Sequence, residues 1–164
     1  MGEQADALAE RVFGALIDTA EILTIYLGDR LGLYAALADG PATPAELAAR
    51  AGIAERYSRE WLEQQAVAGL LEVDDASASA GDRRYTLSDE HAAVLLDRDA
   101  PTYLSPFARA FVAAAQQLPG IQEAYRSGGG VNWRDYGPDM SEGQEFGNRP
   151  TYLASLADWL HSQP

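Results

Sequence analysis

The stretch that decides the fold, residues 43–87, reads TPAELAARAGIAERYSREWLEQQAVAGLLEVDDASASAGDRRYTL. Its first four residues are typical of a helix start. The hydroxyl of Thr43 can cap the first turn, and proline is favoured at the first helical position that follows. Glu46 stands three residues after the cap, where a carboxylate completes a capping box. We therefore predict that a helix begins here.

Further signals extend this helix into a helix-turn-helix with a wing. Gly52 interrupts the first helix, a second helix is predicted over residues 55–68, and Gly69 stands where a left-handed residue ends a helix. Two strand-like pieces, residues 70–73 and 85–87, flank a polar segment. The sequence thus predicts a mainly α fold: a winged helix-turn-helix with a two-stranded wing, preceded by N-terminal dimerisation helices and followed by a C-terminal helical arm.

The net charge of the chain indicates whether such a fold binds DNA. The 164-residue chain has 25 acidic residues, 12 arginines and no lysine, a formal net charge of −13. Proteins gain much of their affinity for nucleic acid by replacing the counterions around phosphates with Lys and Arg. In residues 43–71 three arginines stand against four glutamates, so the second helix is net negative where a DNA reader is basic. We expect no nucleic-acid partner.

The first part of the chain carries a long apolar stripe. Large apolar side chains recur mostly in steps of four, which predicts one helix over residues 5–37 or two helices joined near residues 18–20. The stripe is wider than one small winged unit covers, so we expect a homodimer, with wrapping around the same domain as the alternative. The side chains expected at the dimer interface are Leu16, Leu23, Leu27 and Tyr34.

Beyond the wing the pattern predicts a helical arm. Ser88 can cap a short helix, and further helices are predicted over residues 102–117 and 121–126. Residues 127–130 form a glycine-rich joint, and Pro150 is predicted to begin the last helix.

Large side chains gather in the segment that follows the joint. Trp133, Tyr136, Met140 and Phe146 offer flat or flexible apolar surfaces, with amide and guanidinium groups between them, which is the make-up of a small-molecule pocket wall. These four are the residues predicted to bind a small-molecule substrate. The alternative is that they are core residues that hold the last helix to the domain.

Other chemistry is weakly represented. The chain has no cysteine, and its two histidines, His91 and His161, lack the spacing of metal ligands. No nucleophile elbow or phosphate-binding loop occurs. We predict no catalytic and no metal-binding residue. An acidic N-terminus and the lack of a long apolar run predict a soluble, cytoplasmic protein with no membrane partner.

Three stretches resemble a known family: IYLGDRLGLY at residues 25–34, TPAELA at 43–48 and RYSREWL at 56–62. They are similar to the N-terminal part of bacterial class I S-adenosylmethionine-dependent methyltransferases. In the small-molecule O-methyltransferase-like members, this helical and winged-helix region makes the dimer, and a Rossmann-like domain behind it binds the methyl donor. GGVNWRDYG at residues 129–137 resembles the lid and substrate-pocket segment ahead of the catalytic domain.

The resemblance implies one part of an enzyme. The donor site needs a strand, a Gly-x-Gly-x-Gly turn and an acidic residue after the next strand, and the sequence contains neither the turn nor that arrangement. We expect residues 1–100 to be the N-terminal helices and winged-helix dimerisation domain. Residues 101–164 would be the linker or lid that leads to an absent catalytic domain.

Such a truncated region would not catalyse alone and would bind no cofactor of its own. The resemblance implies S-adenosylmethionine for the full-length enzyme and a small-molecule acceptor as a possible partner. Two alternatives stay open. One is a stand-alone winged-helix regulator that binds DNA in response to a ligand. The other is a scaffold or ligand-binding remnant that lost its catalytic half in nature.

Overall fold

The computed structural model describes residues 2–161, most of which are helical. The helices are α1 Glu3–Arg30, α2 Leu33–Ala38, α3 Pro44–Ala51, α4 Glu55–Val67, α5 Asp89–Leu95, α6 Pro106–Gln116, α7 Leu118–Ser127 and α8 Gly137–His161. The strands are β1 Glu72–Val73 and β2 Tyr85–Thr86, and Trp133–Tyr136 form a short 3-10 helix. The predicted fold class, a mainly α winged helix-turn-helix, is confirmed.

The winged unit begins as predicted. Oγ1 of Thr43 accepts a hydrogen bond from the backbone N–H of Glu46, and the Thr43 N–H donates to the Glu46 carboxylate at 2.8 Å, so the capping box is complete. The hydrogen bond from the Thr43 backbone holds the pKa of Glu46 below its usual value. Gly52 and Gly69 follow α3 and α4 with φ of 68° and 76°, in the left-handed region that favours glycine.

The wing strands are shorter than predicted. The N–H groups of Leu70 and Leu71 donate to the carbonyl oxygen of Gln65, so both residues belong to the turn that ends α4. β1 and β2 pair antiparallel, with Val73 opposite Tyr85. The strands therefore span two residues each, and the rest of the wing is loop.

The core lies where the end of α1 meets α2 and α4. Tyr34 and Trp61 meet edge to face, with ring centroids 5.2 Å apart, and the Tyr34 hydroxyl donates to Oε1 of Gln65 at 2.5 Å. Burial raises the pKa of the Tyr34 phenol above its ordinary value. A Cβ at Gly28 would lie 2.6 Å from atoms of both rings, so glycine is what lets α1 approach this aromatic pair.

α1 is one unbroken helix, the first of the two alternatives given by the sequence. Its hydrogen bonds to the winged unit come from its second half: Trp61 Nε1 donates to the carbonyl oxygen of Thr24 at 3.0 Å, and the amide of Gln65 donates to the Thr24 hydroxyl. By contrast, residues 2–20 are exposed, with Gly14 as the exception. At 1.5 Å per residue this exposed half is roughly 27 Å long.

Two of the predicted boundaries in the helical arm are wrong. α6 begins at Pro106 rather than at residue 102, because the N–H groups of Leu104 and Ser105 donate to the carbonyl oxygen of Val94 and hold this segment in a turn. α7 begins at Leu118, three residues earlier than predicted. A proline in a first helical turn loses no hydrogen bond, so the Leu-Pro-Gly sequence opens α7 rather than separating two helices.

The third correction concerns the last helix. Pro150 was predicted to begin it, whereas α8 runs from Gly137 through Pro150 without interruption. Proline lacks the N–H that would donate to the carbonyl of Phe146, so this helix lacks one internal hydrogen bond. α8 packs along α6, and α6 in turn contacts α1. The division of the chain at residue 100 stays a prediction.

Candidate functional site

A groove of about 530 Å³ follows one face of α8 beside the 3-10 helix. Its wall combines aromatic and aliphatic side chains with amide, carboxylate and guanidinium groups, as small-molecule sites do. The lining residues are Trp133, Ser141, Gln144, Glu145, Asn148, Arg149, Tyr152, Leu153 and Leu156.

The structure brings only part of the predicted acceptor site to this groove. Trp133 lines it and is 55% exposed, and the Tyr136 ring lies beside the indole with centroids 6.1 Å apart. Met140 is buried. The ring of Phe146 lies under the guanidinium of Arg98, 4.8 Å from its centroid. Tyr136, Met140 and Phe146 are not lining residues of the groove.

Sequence reasoning missed the apolar end of the groove, Tyr152, Leu153 and Leu156. These residues were assigned to a separate helix because Pro150 was read as a helix start. A signal was present: Gln144, Asn148, Tyr152 and Leu156 follow one another in steps of four across the proline, as they would on one helix face.

A network of ion pairs, buried between α1 and α6 and partly exposed at α8, connects these three helices. The guanidinium of Arg109 on α6 donates to both carboxylate oxygens of Asp29 on α1, with Nη2 2.8 Å from Oδ1. Its Nη1 donates to Oε2 of Glu142 on α8 at 2.9 Å. The side chains of Arg109 and Asp29 are 10% and 9% exposed. The hydrogen bonds that Arg109 donates to Asp29 raise the pKa of Arg109, which is charged at any ordinary pH.

Two more residues of α1 extend this network. Arg30 pairs with Asp139 and, at 2.8 Å, with Glu142, while the Tyr26 hydroxyl donates to Asp139 at 2.7 Å. The sequence analysis gave these residues no role. The available signal was their place in the stretch 25–34, which carries the family resemblance. α8, and with it one wall of the groove, is thus anchored to the N-terminal helix.

Glycines bring α8 close to α6. A Cβ at Gly143 would lie 2.8 Å from the backbone N of Ala110 and 2.8 Å from the carbonyl oxygen of Pro106. A Cβ at Gly147 would lie 2.7 Å from the ring of Phe107. Because the backbone of α6 cannot give way as a side chain can, the position at 143 is the more demanding of the two.

We expect Gly143→Ala to lower the free energy of unfolding by about 1–3 kcal/mol, because the new methyl group overpacks the helix contact. Urea denaturation followed by circular dichroism measures this. Gly14→Ala is the control, since nothing lies within 4 Å of a Cβ at this half-buried helical position. Alanine there should stabilise by up to about 1 kcal/mol. Two variants of equal stability would contradict the close contact of α8 with α6.

The predicted dimer residues divide into two groups. Leu16, Leu23 and Leu27 lie on α1 and are 63%, 45% and 47% exposed. Tyr34 lies on α2 and is 1% exposed. The turn at Gly32, with φ of 67°, separates the two helices and carries Tyr34 into the core. A second chain can reach the three leucines, but it cannot reach this tyrosine.

Four of the five arginines in residues 43–87 make contacts within the chain. Three of them pair with carboxylates of α3 or α4. The pairs are Arg56–Glu60 at 2.9 Å, Arg84–Glu46 at 2.8 Å and Arg83–Glu63 at 3.5 Å. A fourth, Arg50, donates to the backbone carbonyl oxygens of residues 36, 40 and 41. The ion pairs thus offset three of the five arginine charges in residues 43–87.

Nδ1 of His91 lies 3.0 Å from the carbonyl oxygen of Leu70, a contact between α5 and the turn after α4. Between residues 2 and 161 no three or more His, Asp or Glu side chains gather in a way that could hold a metal ion. Within the same range, no helix combines the length and apolar character needed to cross a bilayer.

Comparison with known proteins identifies the winged unit. A family profile for the Rv2258c-like winged HTH domain matches residues 19–98, from the middle of α1 to just beyond α5. No curated protein sequence matches the chain.

Solved structures extend the likeness to nearly the whole chain. The mitomycin 7-O-methyltransferase MmcR is 21% identical with a TM-score of 0.65, over 99% of this chain and 50% of its own. PigF with SAH is 19% identical with a TM-score of 0.62, over 99% of this chain and 48% of its own. CalO1, a methyltransferase in calicheamicin biosynthesis solved in its SAH-bound form, is 21% identical with a TM-score of 0.59, over 94% and 46%.

This chain spans about half the length of these three proteins. At such low identity the likeness establishes the fold. Residues 19–98 accordingly match the Rv2258c-like winged HTH domain, within a chain whose fold is similar to about half of each of these three structures.

Proposed function

We propose that this chain is the dimerisation and substrate-lid region of an S-adenosylmethionine-dependent methyltransferase. The observation that carries the proposal is the extent of the likeness, since 99% of the chain matches half of a mitomycin methyltransferase. The acidic winged unit, the exposed stripe of α1 and the groove of α8 each have a part in such a region.

The exposed stripe of α1 would bind a second copy of the chain. A two-fold axis would place Leu16, Leu23 and Leu27 of each copy on the same residues of the other, an isologous contact. Tyr34 is left out of this interface because it is buried in its own core. The homodimer is supported by the size of the exposed apolar stripe, which is unusual for a monomer.

The groove of α8 would form one wall of an acceptor pocket. Trp133 and Tyr152 offer flat apolar faces, and Asn148 and Arg149 offer hydrogen-bond donors beside them. Met140 and Phe146 would act indirectly, because they lie outside the groove, and Tyr136 would support the indole of Trp133.

The described residues do not fit a methyl-donor site. The sheet present is a two-stranded antiparallel wing, whereas a Rossmann-like site needs parallel strands with a glycine-rich turn after the first. We therefore assign donor binding to a segment outside this chain. Methyl transfer would require that segment, and this region alone would be inactive.

Two measurements test the proposal. Calorimetric titration of the chain with S-adenosylmethionine should give no binding heat, and micromolar affinity would contradict the assignment of donor binding elsewhere. The gene that encodes residues 1–164 should continue past the codon for Pro164 into a segment with a strand and a glycine-rich turn. A stop codon there would contradict the proposal and favour the alternative, a remnant that has lost its catalytic half.

The second candidate, a DNA-binding regulator, is favoured by the winged helix-turn-helix fold itself. We expect fluorescence anisotropy of a labelled random duplex to stay flat as the chain is added at low salt, because the net charge is −13 and three of the five arginines in residues 43–87 pair with carboxylates. Salt-dependent binding in the micromolar range would favour the regulator instead. The isolated duplex at the same salt serves as the baseline.

A further inference from the structure

We propose that two copies of the chain pair through antiparallel α1 helices, so that the N-terminal half of each α1 lies along the C-terminal half of its partner's. This inference rests on the proposed dimer and goes beyond it, because it fixes the direction and the register of the interface. The midpoint of the contact lies between Ile17 and Asp18.

The first observation is that the N-terminal half of α1 is left uncovered by its own chain. Leu8, Val12 and Leu16 are exposed, as are Phe13 and Ile17. A single helix of this length, with water on all sides, gains little stability from its own hydrogen bonds. The apolar side chains therefore need a cover that another chain supplies.

The second observation is a symmetry in the sequence of α1. The stripe positions follow the spacing four, four, three, four, four, which reads the same in both directions. These positions are Leu8, Val12, Leu16, Thr19, Leu23 and Leu27. Reversing the helix about the point between residues 17 and 18 places Leu8 on Leu27 and Val12 on Leu23. An antiparallel pair of identical helices requires this kind of symmetry, whereas a parallel pair does not.

Thr19 is the polar member of the stripe, opposite Leu16 at the centre. Its hydroxyl donates to the carbonyl oxygen of Ala15 in the same helix at 2.7 Å. The hydrogen bond is satisfied within α1, so the partner need not supply an acceptor for this hydroxyl, and it does not oppose burial at the centre of the contact.

Charge also favours the antiparallel direction. Glu3, Asp6 and Glu10 lie in the first turns of α1. A parallel pair would place these carboxylates beside their own copies, and like charges at such distances repel. Antiparallel pairing separates the two acidic ends by most of the helix length and opposes the two helix dipoles.

The groove between α1 and α4 adds the remaining surface. Two helices of 28 residues in side-by-side contact cover roughly 400–500 Å² each, about half of the ~800 Å² per partner that stable interfaces bury. A groove of about 260 Å³, lined by Leu27, Leu31, Tyr57 and Trp61 among others, borders the same stripe. On the helical wheel Phe13 lies on the flank of α1 that faces α4, so it reaches this groove in the partner.

Electron–electron distance measurements on singly labelled chains test the direction. Because the chain has no cysteine, Gln4→Cys, Ala7→Cys and Asp18→Cys each give one nitroxide label. All three sites are exposed; Ala7 and Asp18 face away from the stripe, and Gln4 lies one turn beyond its N-terminal end. In the proposed register the paired labels are separated along the helix axis by about 40, 30 and 2 Å, so the measured distances should rise in the order 18, 7, 4.

Three outcomes are distinguishable. Distances that rise toward the N-terminus support the antiparallel pair. Equal distances at the three sites, in a protein with the mass of a dimer, overturn the antiparallel pair and leave the proposed dimer standing. No dipolar signal, together with the mass of a single chain, overturns both. Dilution with unlabelled chain should remove the signal, which shows that it arises between copies.

Discussion

A Leu23→Asp/Leu27→Asp variant is expected to behave as a monomer of 17.6 kDa at micromolar concentrations at which we expect the unaltered chain to be a dimer. Each leucine is already about half buried by its own chain, and each occurs twice in the pair. In the dimer the partner would bury the other half of each of these four leucine side chains, which contributes about 1 kcal/mol each. Losing that burial lowers the free energy of association by roughly 4 kcal/mol and so raises Kd about a thousandfold. Introduced carboxylates would also have to be desolvated. Light scattering coupled to size exclusion measures the mass.

A matched control adds the same charge elsewhere on α1. Ala7→Asp/Gly14→Asp also introduces two carboxylates on the face away from the stripe; Ala7 is exposed, and nothing lies within 4 Å of a Cβ at Gly14. This variant should stay a dimer. If both variants are monomeric, acidic repulsion rather than the stripe explains the result. If the leucine variant stays a dimer, the assignment of the interface to Leu23 and Leu27 is wrong.

Arg109→Met is expected to lower the free energy of unfolding by about 3 kcal/mol, because it leaves the buried carboxylate of Asp29 without its partner. Methionine keeps most of the apolar stem, so the loss reports the charge rather than a cavity. α8 should loosen at the same time, since Arg109 also donates to Glu142. Urea denaturation measures the stability, and hydrogen exchange of the α8 amides measures the loosening.

Two further variants test whether burial of the ion pair explains the loss of stability in Arg109→Met. Arg149→Met removes an exposed pair with Asp99, which has a similar N to O distance of 2.9 Å, and should cost less than 1 kcal/mol. The double variant Arg109→Met/Asp29→Leu should recover at least half of the loss, because no buried charge is then left alone. If Arg109→Met costs no more than Arg149→Met, the ion pairs do not anchor α8.

The winged unit could be predicted from sequence because its signals are local. The capping box of Thr43 with Glu46 and the glycines at 52 and 69 act on backbone groups within a few residues. Tertiary packing did not have to be known. The same holds for the short helix that Ser88 caps through the N–H of His91.

α8 could not be predicted in the same way. A proline is acceptable both in the first turn of a helix and, when neighbours support it, inside one, so Pro150 alone does not locate a boundary. Whether the helix continues through Pro150 depends on how α8 packs against α6. That packing depends on the contacts at Gly143 and Gly147, which are distant in sequence from their partners on α6. For the same reason the groove and its apolar end were only partly foreseen.

The residues predicted for the dimer interface show which structural features sequence periodicity can predict and which it cannot. The spacing of Leu16, Leu23 and Leu27 identifies one helix face, and the structure leaves that face exposed. Tyr34 fits the same spacing of apolar residues, but it does not lie on the same helix, because α1 ends at Arg30 and the chain turns at Gly32. The spacing of apolar residues in the sequence does not reveal this change in the direction of the chain.

The claim on which the account depends is that this winged fold joins protein to protein. The most direct test is the mass of the unaltered chain by sedimentation equilibrium at micromolar concentration and moderate salt. We predict twice 17.6 kDa. A mass of a single chain at every concentration examined would contradict it.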